Sequence, residues 1–196
     1  MYQLQKQDLA EAAKVFARAF EPDPLYRYFC PDLEKRLAFL EDFFLFRLRF
    51  AQKKGKLYAD SPELNCIMGL GLPGVTMKPM DLILLGGLSA LSRAGKETRN
   101  RVMAFNSFID ECEKAACPGP KYFLGPMATR PERQRQGLGS AMFTFMTSEI
   151  CQGDAPQILD TQSLANTVIY GRQGFVLVGE RVIPGTDLTN YTMIRK

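Results

Sequence analysis

The sequence predicts a mixed α/β (α+β) fold, and three observations lead there. Segments with helical spacing of apolar residues alternate along the chain with short apolar runs bounded by turn formers. One stretch, Tyr122 to Ile150, reads as strand, glycine-bearing loop and helix in direct succession. The chain has 196 residues, 46% of them hydrophobic, which is enough for one domain spanning residues 1–196 with a sizeable core.

Taken in order, Tyr2 to Lys6 alternates weakly and is a candidate first strand. Asp8 is placed to N-cap a helix, with Glu11 three residues on to close a capping box. Leu9, Ala12, Ala13, Phe16 and Phe20 form the buried face of that helix, and Pro22 and Pro24 stop it. Glu34 to Lys53 predicts a longer helix with two apolar stripes. One runs through Leu37, Leu40, Phe44, Leu48 and Ala51, the other through Phe39, Phe43, Phe46 and Phe50. A helix apolar on two sides is either sandwiched in the core or walls a ligand pocket, and the pattern leaves both open. Leu57 to Asp60 and Asn65 to Leu72 then read as a hairpin turning at Ser61-Pro62-Glu63. Gly69, Gly71, Pro73 and Gly74 weaken its second strand, as a bulge, a close ligand approach or plain turn chemistry would.

Lys78 to Ala94 predicts one helix, with Pro79 in its first turn and Gly95 at its end. Lys96 to Ala116 predicts another, with Val102, Phe105, Ile109, Cys112 and Ala116 on one face. Pro118-Gly119-Pro120 is a hard break before a central strand, Tyr122 to Thr129. After the loop Gln134 to Gly139, the apolar residues Leu138, Ala141, Met142, Phe145, Met146 and Ile150 again have helical spacing. Gln157 to Thr161 is a strand. Leu164 to Arg172 is a short helix with Ser163 as N-cap and Gly174 closing it, and Phe175 to Glu180 and Asn190 to Arg195 are the last strands.

Composition excludes several chemistries. The chain has no histidine. Ser-His-Asp and Cys-His mechanisms, His general bases and His-ligated zinc are therefore impossible. The five cysteines are irregularly spaced, with no Cys-x-x-Cys pair and no apolar signal core before them. They read as reduced thiols of a cytoplasmic protein, with no metal site among them. Leu82 to Leu91, the most apolar region, is too short to cross a membrane. The net charge of +4 is scattered, so no nucleic-acid partner is expected. The GxxxxGK[ST] phosphate-loop pattern is also absent.

Gly137 and Gly139 stand where a strand hands over to a helix. Glycines there let backbone N–H groups approach an anion on the positive end of the helix dipole, and Arg133 and Arg135 flank the loop. Ordinary tight turns use the same spacing. Gln134-Arg-Gln-Gly137-Leu-Gly139 further fits the (Gln/Arg)-x-x-Gly-x-(Gly/Ala) pattern of GNAT acyltransferases. From Tyr122 to Lys196 the chain resembles puromycin N-acetyltransferase-like bacterial proteins. The resemblance runs through Pro131-Glu132, Gln134, Gly137 to Ser140, Asp160-Thr161, Asn166, Tyr170, Gly174-Phe175 and Met193 to Lys196. The first half is similar only in layout. Many members carry Gly where this chain has Arg135.

The resemblance implies a GNAT-like mixed, mostly antiparallel sheet of about six to seven strands flanked by helices. The helices at about 77–118 stand as an insertion, a lid or wall over the acceptor cleft. It implies acetyl-coenzyme A as co-substrate, with the amides of Gln134, Arg135, Gln136, Gly137, Leu138, Gly139 and Ser140 on its pyrophosphate. Met127, Ala128, Thr129 and Asn166 would lie along its pantetheine arm. The implied activity is transfer of the acetyl group to the amine of an unidentified small-molecule acceptor, by direct attack through a tetrahedral intermediate. Tyr170 matches the tyrosine that protonates the departing thiolate, as a phenol of pKa about 10 can do. A strand made irregular by Gly125 and Pro126 could leave a splayed gap and an N–H near Met127 or Thr129 for the oxyanion. Asp160 is the candidate base, with Glu132, Glu21 or water as alternatives. The aromatic second helix favours an acceptor with apolar surface. A non-catalytic acyl-coenzyme A-binding or regulatory domain is the competing reading, and monomer and homodimer are both open.

Overall fold

A computed structural model describes residues 1–196. Strand β1 (Tyr2–Gln3) leads through a 3-10 turn into helices α1 (Leu9–Phe20), α2 (Pro24–Phe29) and α3 (Leu33–Lys54). The hairpin β2 (Lys56–Ala59) and β3 (Cys66–Gly71) is followed by α4 (Pro79–Leu84), α5 (Gly87–Arg93) and α6 (Lys96–Ala116). Then come β4 (Tyr122–Thr129), α7 (Leu138–Phe145), β5 (Gln157–Thr161), α8 (Leu164–Gly171), β6 (Val176–Val182) and β7 (Thr189–Arg195). No helix is long and apolar enough to cross a membrane.

The seven strands form one sheet in the order β1-β2-β3-β4-β5-β7-β6, antiparallel throughout except between β4 and β5. The expected mixed, mostly antiparallel sheet is what forms. Alternation along the strands sends residues to two cores. Ile67 and Ala128 pack with Phe16, Leu40, Phe44 and Leu48 under α1 and α3. Met68, Leu70, Leu124, Leu159 and Met193 pack with Met142, Phe143 and Met146 of the α7 side. Ile158 and Ile194 meet Cys117, at the end of α6, on the first face.

Several local expectations are corrected. Asp8 does not cap α1 with its side chain. It ends the 3-10 turn, where its carboxylate accepts from Tyr2 Oη and the Gln5 N–H, both at 2.7 Å. Glu11 closes no box; it reaches Arg130 at 3.0 Å. Pro24 opens a helix as well as ending one, with Asp23 Oδ1 accepting from the Leu25 N–H at 2.9 Å. The single helix expected over Lys78 to Ala94 is two, broken at Gly86. Ser163 makes no cap bond with its side chain; its own N–H donates to Thr161 Oγ1 at 3.2 Å. The final turn after α7, Met146–Ile150, widens into a π-helix.

The parallel pair β4–β5 determines where the site lies. It is joined only at Tyr122–Gln157 and Phe123–Ile158. Beyond Phe123 the strands part, at the point where Pro126 has no N–H to give. On its other edge β4 stays paired with β3 as far as Thr129, across a bulge between Met68 and Leu70.

Candidate active site

The loop between β4 and α7 turns through two left-handed residues. Gly137 (φ +80°) precedes α7, and Arg135 (φ +63°) takes a conformation that costs a non-glycine residue about 1 kcal/mol. Glycine takes this conformation without that cost. None of the N–H groups of Arg135, Gln136, Gly137, Leu138, Gly139 and Ser140 donates to another protein group. They converge on the positive end of α7 with Arg133 and Arg135 exposed beside them, so the loop offers donors without acceptors. The start of α7 lies against β4; a Cβ on Gly139 would make ordinary contacts with Met127 Cε at 3.6 Å and Thr129 Oγ1 at 3.8 Å. Gln134 Nε2 donates to the Thr129 carbonyl at 3.3 Å and ties the loop to the strand end.

Strand alternation orients the free edge of β4. The Arg130 N–H donates to Asn65 O on the β3 side at 2.8 Å. The N–H groups of Met127 and Thr129 therefore face the gap toward β5. Helix α8 borders the same gap. Asn166 Nδ2 donates to Thr161 Oγ1 at 3.4 Å. Tyr170 stacks on Phe143 with centroids 5.1 Å apart and lines the cleft, where burial pushes its phenol up. It packs and borders the cleft at once, and it keeps its proton at neutral pH.

The gap opens into a cleft of about 1250 Å³ that runs between the two faces' helices. Phe43, Phe46 and Phe50 of α3 line it, while Phe44, Leu40 and Leu48 of the other stripe are buried in the core. The second stripe does both, since Phe39 and Phe43 also pack in the core, while Leu37 at the start of the first stripe is exposed. Leu82, Gly87, Ala90, Leu91 and Phe105, from α4 to α6, line it too, with the start of α5 packed directly on Phe46 of α3.

Solved structures resemble the chain over nearly its whole length. An acetyltransferase from Corynebacterium glutamicum of the histone acetyltransferase HPA2 and related kind shares 20% identity over 98% of this chain and 93% of that one, with a TM-score of 0.65. Mosquito arylalkylamine N-acetyltransferase like 5b shares 12% over 99% and 97%, with a TM-score of 0.61. Drosophila melanogaster polyamine N-acetyltransferase shares 11% over 98% and 97%, with a TM-score of 0.60. The fold is that of the GNAT acetyltransferases. Neither a protein-family model nor a curated protein matches the chain.

On this GNAT fold the expected residues separate into groups. Met127, Gly139, Ser140, Asn166, Tyr170 and Asp160 all border the one cleft. Ala128 contributes backbone only, since its side chain is buried in the first-face core. Gln134, Arg135, Gln136 and Gly137 stand exposed on the loop, with Leu138 half-buried at the start of α7. Thr129 Oγ1 donates to Cys66 Sγ at 3.3 Å, which leaves only its main chain for the gap. Two alternative bases lie elsewhere. Glu21 is bound to buried Arg36 at 2.8 Å, and Glu132 is exposed in the turn before the loop.

Asp160 faces α6, not α8. Its Oδ1 accepts from Asn190 Nδ2 at 2.7 Å and Thr192 Oγ1 at 2.6 Å, while Oδ2 is buried without a donor. Burial pushes this carboxyl up, against those two hydrogen bonds. The sequence reading missed Glu113 of α6, which lines the cleft beside it. Burial, and after it the nearby Asp160 charge, push Glu113 up to about 7, against the pull of Lys121, whose Nζ lies 3.9 Å away. The signal available in the sequence was only a Glu on the otherwise apolar side of a helix.

Proposed function

We propose that the protein transfers an acetyl group from acetyl-coenzyme A to the amine of a small molecule, with residues 1–196 acting as one acetyltransferase domain. The observation that carries this is the run of unpartnered amides from Arg135 to Ser140 beside the parted strands β4 and β5. A pyrophosphate suits the first and an extended arm with amide groups suits the second. Bound there, acetyl-coenzyme A supplies an acetyl thioester, whose carbonyl carbon an amine can attack. The loop amides and exposed Arg133 and Arg135 hold the phosphates. Asn166 orients the arm from α8. The Met127 or Thr129 N–H, directed into the gap, stabilises negative charge on the carbonyl oxygen. Tyr170 keeps its proton for the departing sulfur. Asp160 borders the cleft, with one carboxyl oxygen left without a donor for an incoming ammonium. The N-acetyltransferases of the same fold that act on arylalkylamines and polyamines support an amine as acceptor.

Isothermal titration of acetyl-coenzyme A and coenzyme A, with Gly137→Glu as control, tests the reading. Binding of both, lost in the variant, is expected, followed by thiol release when amines are supplied. Tyr170→Phe is expected to lower turnover roughly 10²-fold with acetyl-coenzyme A affinity unchanged. Absence of binding to the parent chain would sink the proposal. Binding without thiol release from any amine would leave a non-catalytic acyl-coenzyme A-binding domain.

A further inference from the structure

The cleft is charged at the end under α6, and neither the loop nor Tyr170 uses that charge. Asp110 and Glu113 of α6 and Asp160 of β5 border it, with Lys121 on the same side. Lys121 is occupied: its Nζ donates to Cys117 O at 2.9 Å and lies 3.9 Å from Glu113 Oε2. The buried Oδ2 of Asp160 has no donor at all. A buried carboxylate oxygen left bare is costly, and a donor arriving with a ligand removes that cost. Arg47 and Lys114 line the cleft as well, so the bare Oδ2 of Asp160, and not an excess of acids, is what a cationic donor would satisfy. The neighbouring walls are Phe43, Phe46, Phe105 and Phe123, which offer apolar area and ring faces.

Resting on the acetyl-transfer reading above, we propose that Glu113 is the base that deprotonates the acceptor. The acceptor class is a primary monoamine with an aromatic or apolar body. Its ammonium is drawn to Glu113 and Asp160, and its body lies against the four phenylalanines. The ammonium nitrogen gives one proton to the Glu113 carboxylate, and its freed lone pair forms the C–N bond at the acetyl carbonyl carbon. The C–S bond breaks and the sulfur takes the Tyr170 proton. The second proton lost by the nitrogen restores the Tyr170 phenol through water. An acetyl amide and a free thiol result, and the proton on Glu113 passes to solvent.

The groups facing Glu113 set when it can act. Asp160 from β5 and Asp110 from its own helix make its ionisation harder, while Lys121 before β4 and Arg47 of α3 make it easier. Held up to about 7, it titrates near neutrality, where a base is both available and strong. Glu113 is also shielded, its side chain only 18% exposed, so an ammonium that reaches it has shed most of its water.

The test is isothermal titration of 2-phenylethylamine and of spermidine into the full chain and into Glu113→Gln, with kcat/KM measured against pH. The parent protein is expected to bind 2-phenylethylamine more tightly than spermidine, and more tightly above neutrality than below it. Glu113→Gln is expected to weaken that binding roughly tenfold and to remove the ionisation near neutrality from the kcat/KM profile. Glu113→Asp is expected to restore part of both. Coenzyme A binding equal in parent and variant reports an intact fold. Unchanged amine affinity and an unchanged pH profile in Glu113→Gln would overturn the role of Glu113 and leave acetyl transfer standing. Tighter binding of spermidine would overturn the acceptor class. Failure of the parent to bind coenzyme A would overturn acetyl transfer, and this inference with it.

Discussion

Glu113 and Asp160 approach one another from α6 and β5, and burial makes both reluctant to ionise. Asp160→Asn removes one negative charge yet leaves an oxygen to accept from Asn190 and Thr192. Glu113 then loses its proton more easily. Because the base must be ionised to act, the acid limb of kcat/KM moves below about 7, so the variant works at lower pH than the parent. A limb that stays in place would show that the two carboxyls are not coupled. At Arg135 the expectation is thermodynamic. Its φ of +63° suits glycine, so Arg135→Gly relieves about 1 kcal/mol of strain. Thermal unfolding is expected to shift upward. Coenzyme A affinity at high salt, where the lost positive charge matters least, is expected to be retained.

The break between α4 and α5 shows how an element shapes the cleft. A Cβ on Gly87 would lie 2.7 Å from Phe46 Cε2, so the start of α5 rests directly on that ring. Gly87→Ala is expected to displace Phe46 and cost roughly 1–3 kcal/mol in chemical denaturation. It is also expected to weaken 2-phenylethylamine binding while sparing that of coenzyme A. This break was not legible in the sequence. Helical apolar spacing continues across Gly86 and Gly87 and masks the turn, which Gly86 makes in the left-handed conformation at φ +87°. Pro24 was misread for a related reason, since one residue can both end a helix and occupy the first position of the next. The helices and strands from Tyr122 onward were legible because their signals are local: a proline-bounded strand, glycines at a turn, an apolar stripe. The glycine loop and α8 were legible for the same reason. Glu113 was not, because its character comes from Asp160, Lys121 and Arg47, which only the fold brings to it.

For the whole molecule, the raised carboxyl carries a cost in stability that depends on pH. Glu113 holds its proton up to about 7 in the folded chain, against an ordinary value of 4.5. The folded state therefore binds more protons than the unfolded state between those values, and stability falls as pH rises through that window. Below it the parent and Glu113→Gln are expected to melt alike. Above it the variant is expected to be more stable, by up to roughly 3 kcal/mol, although it has lost a carboxylate from the cleft. Melting curves across pH would check this; equal stability of the two proteins on the alkaline side would show that Glu113 ionises as an ordinary surface acid.

The two pairs Tyr122–Gln157 and Phe123–Ile158 are the only backbone rungs between β1–β4 and β5–β7. In ladder terms the sheet is two half-sheets with a seam. A seam of so few rungs opens more readily than either half melts. An extended ligand lying along the free edge of β4 would stitch it closed. In the free protein, amide hydrogen exchange is then expected to report two blocks with different opening free energies. Saturation with coenzyme A is expected to merge them into one and to slow the Met127 and Thr129 amides most. The cleft would then double as the joint of the fold, so that filling it also completes the chain's cooperativity.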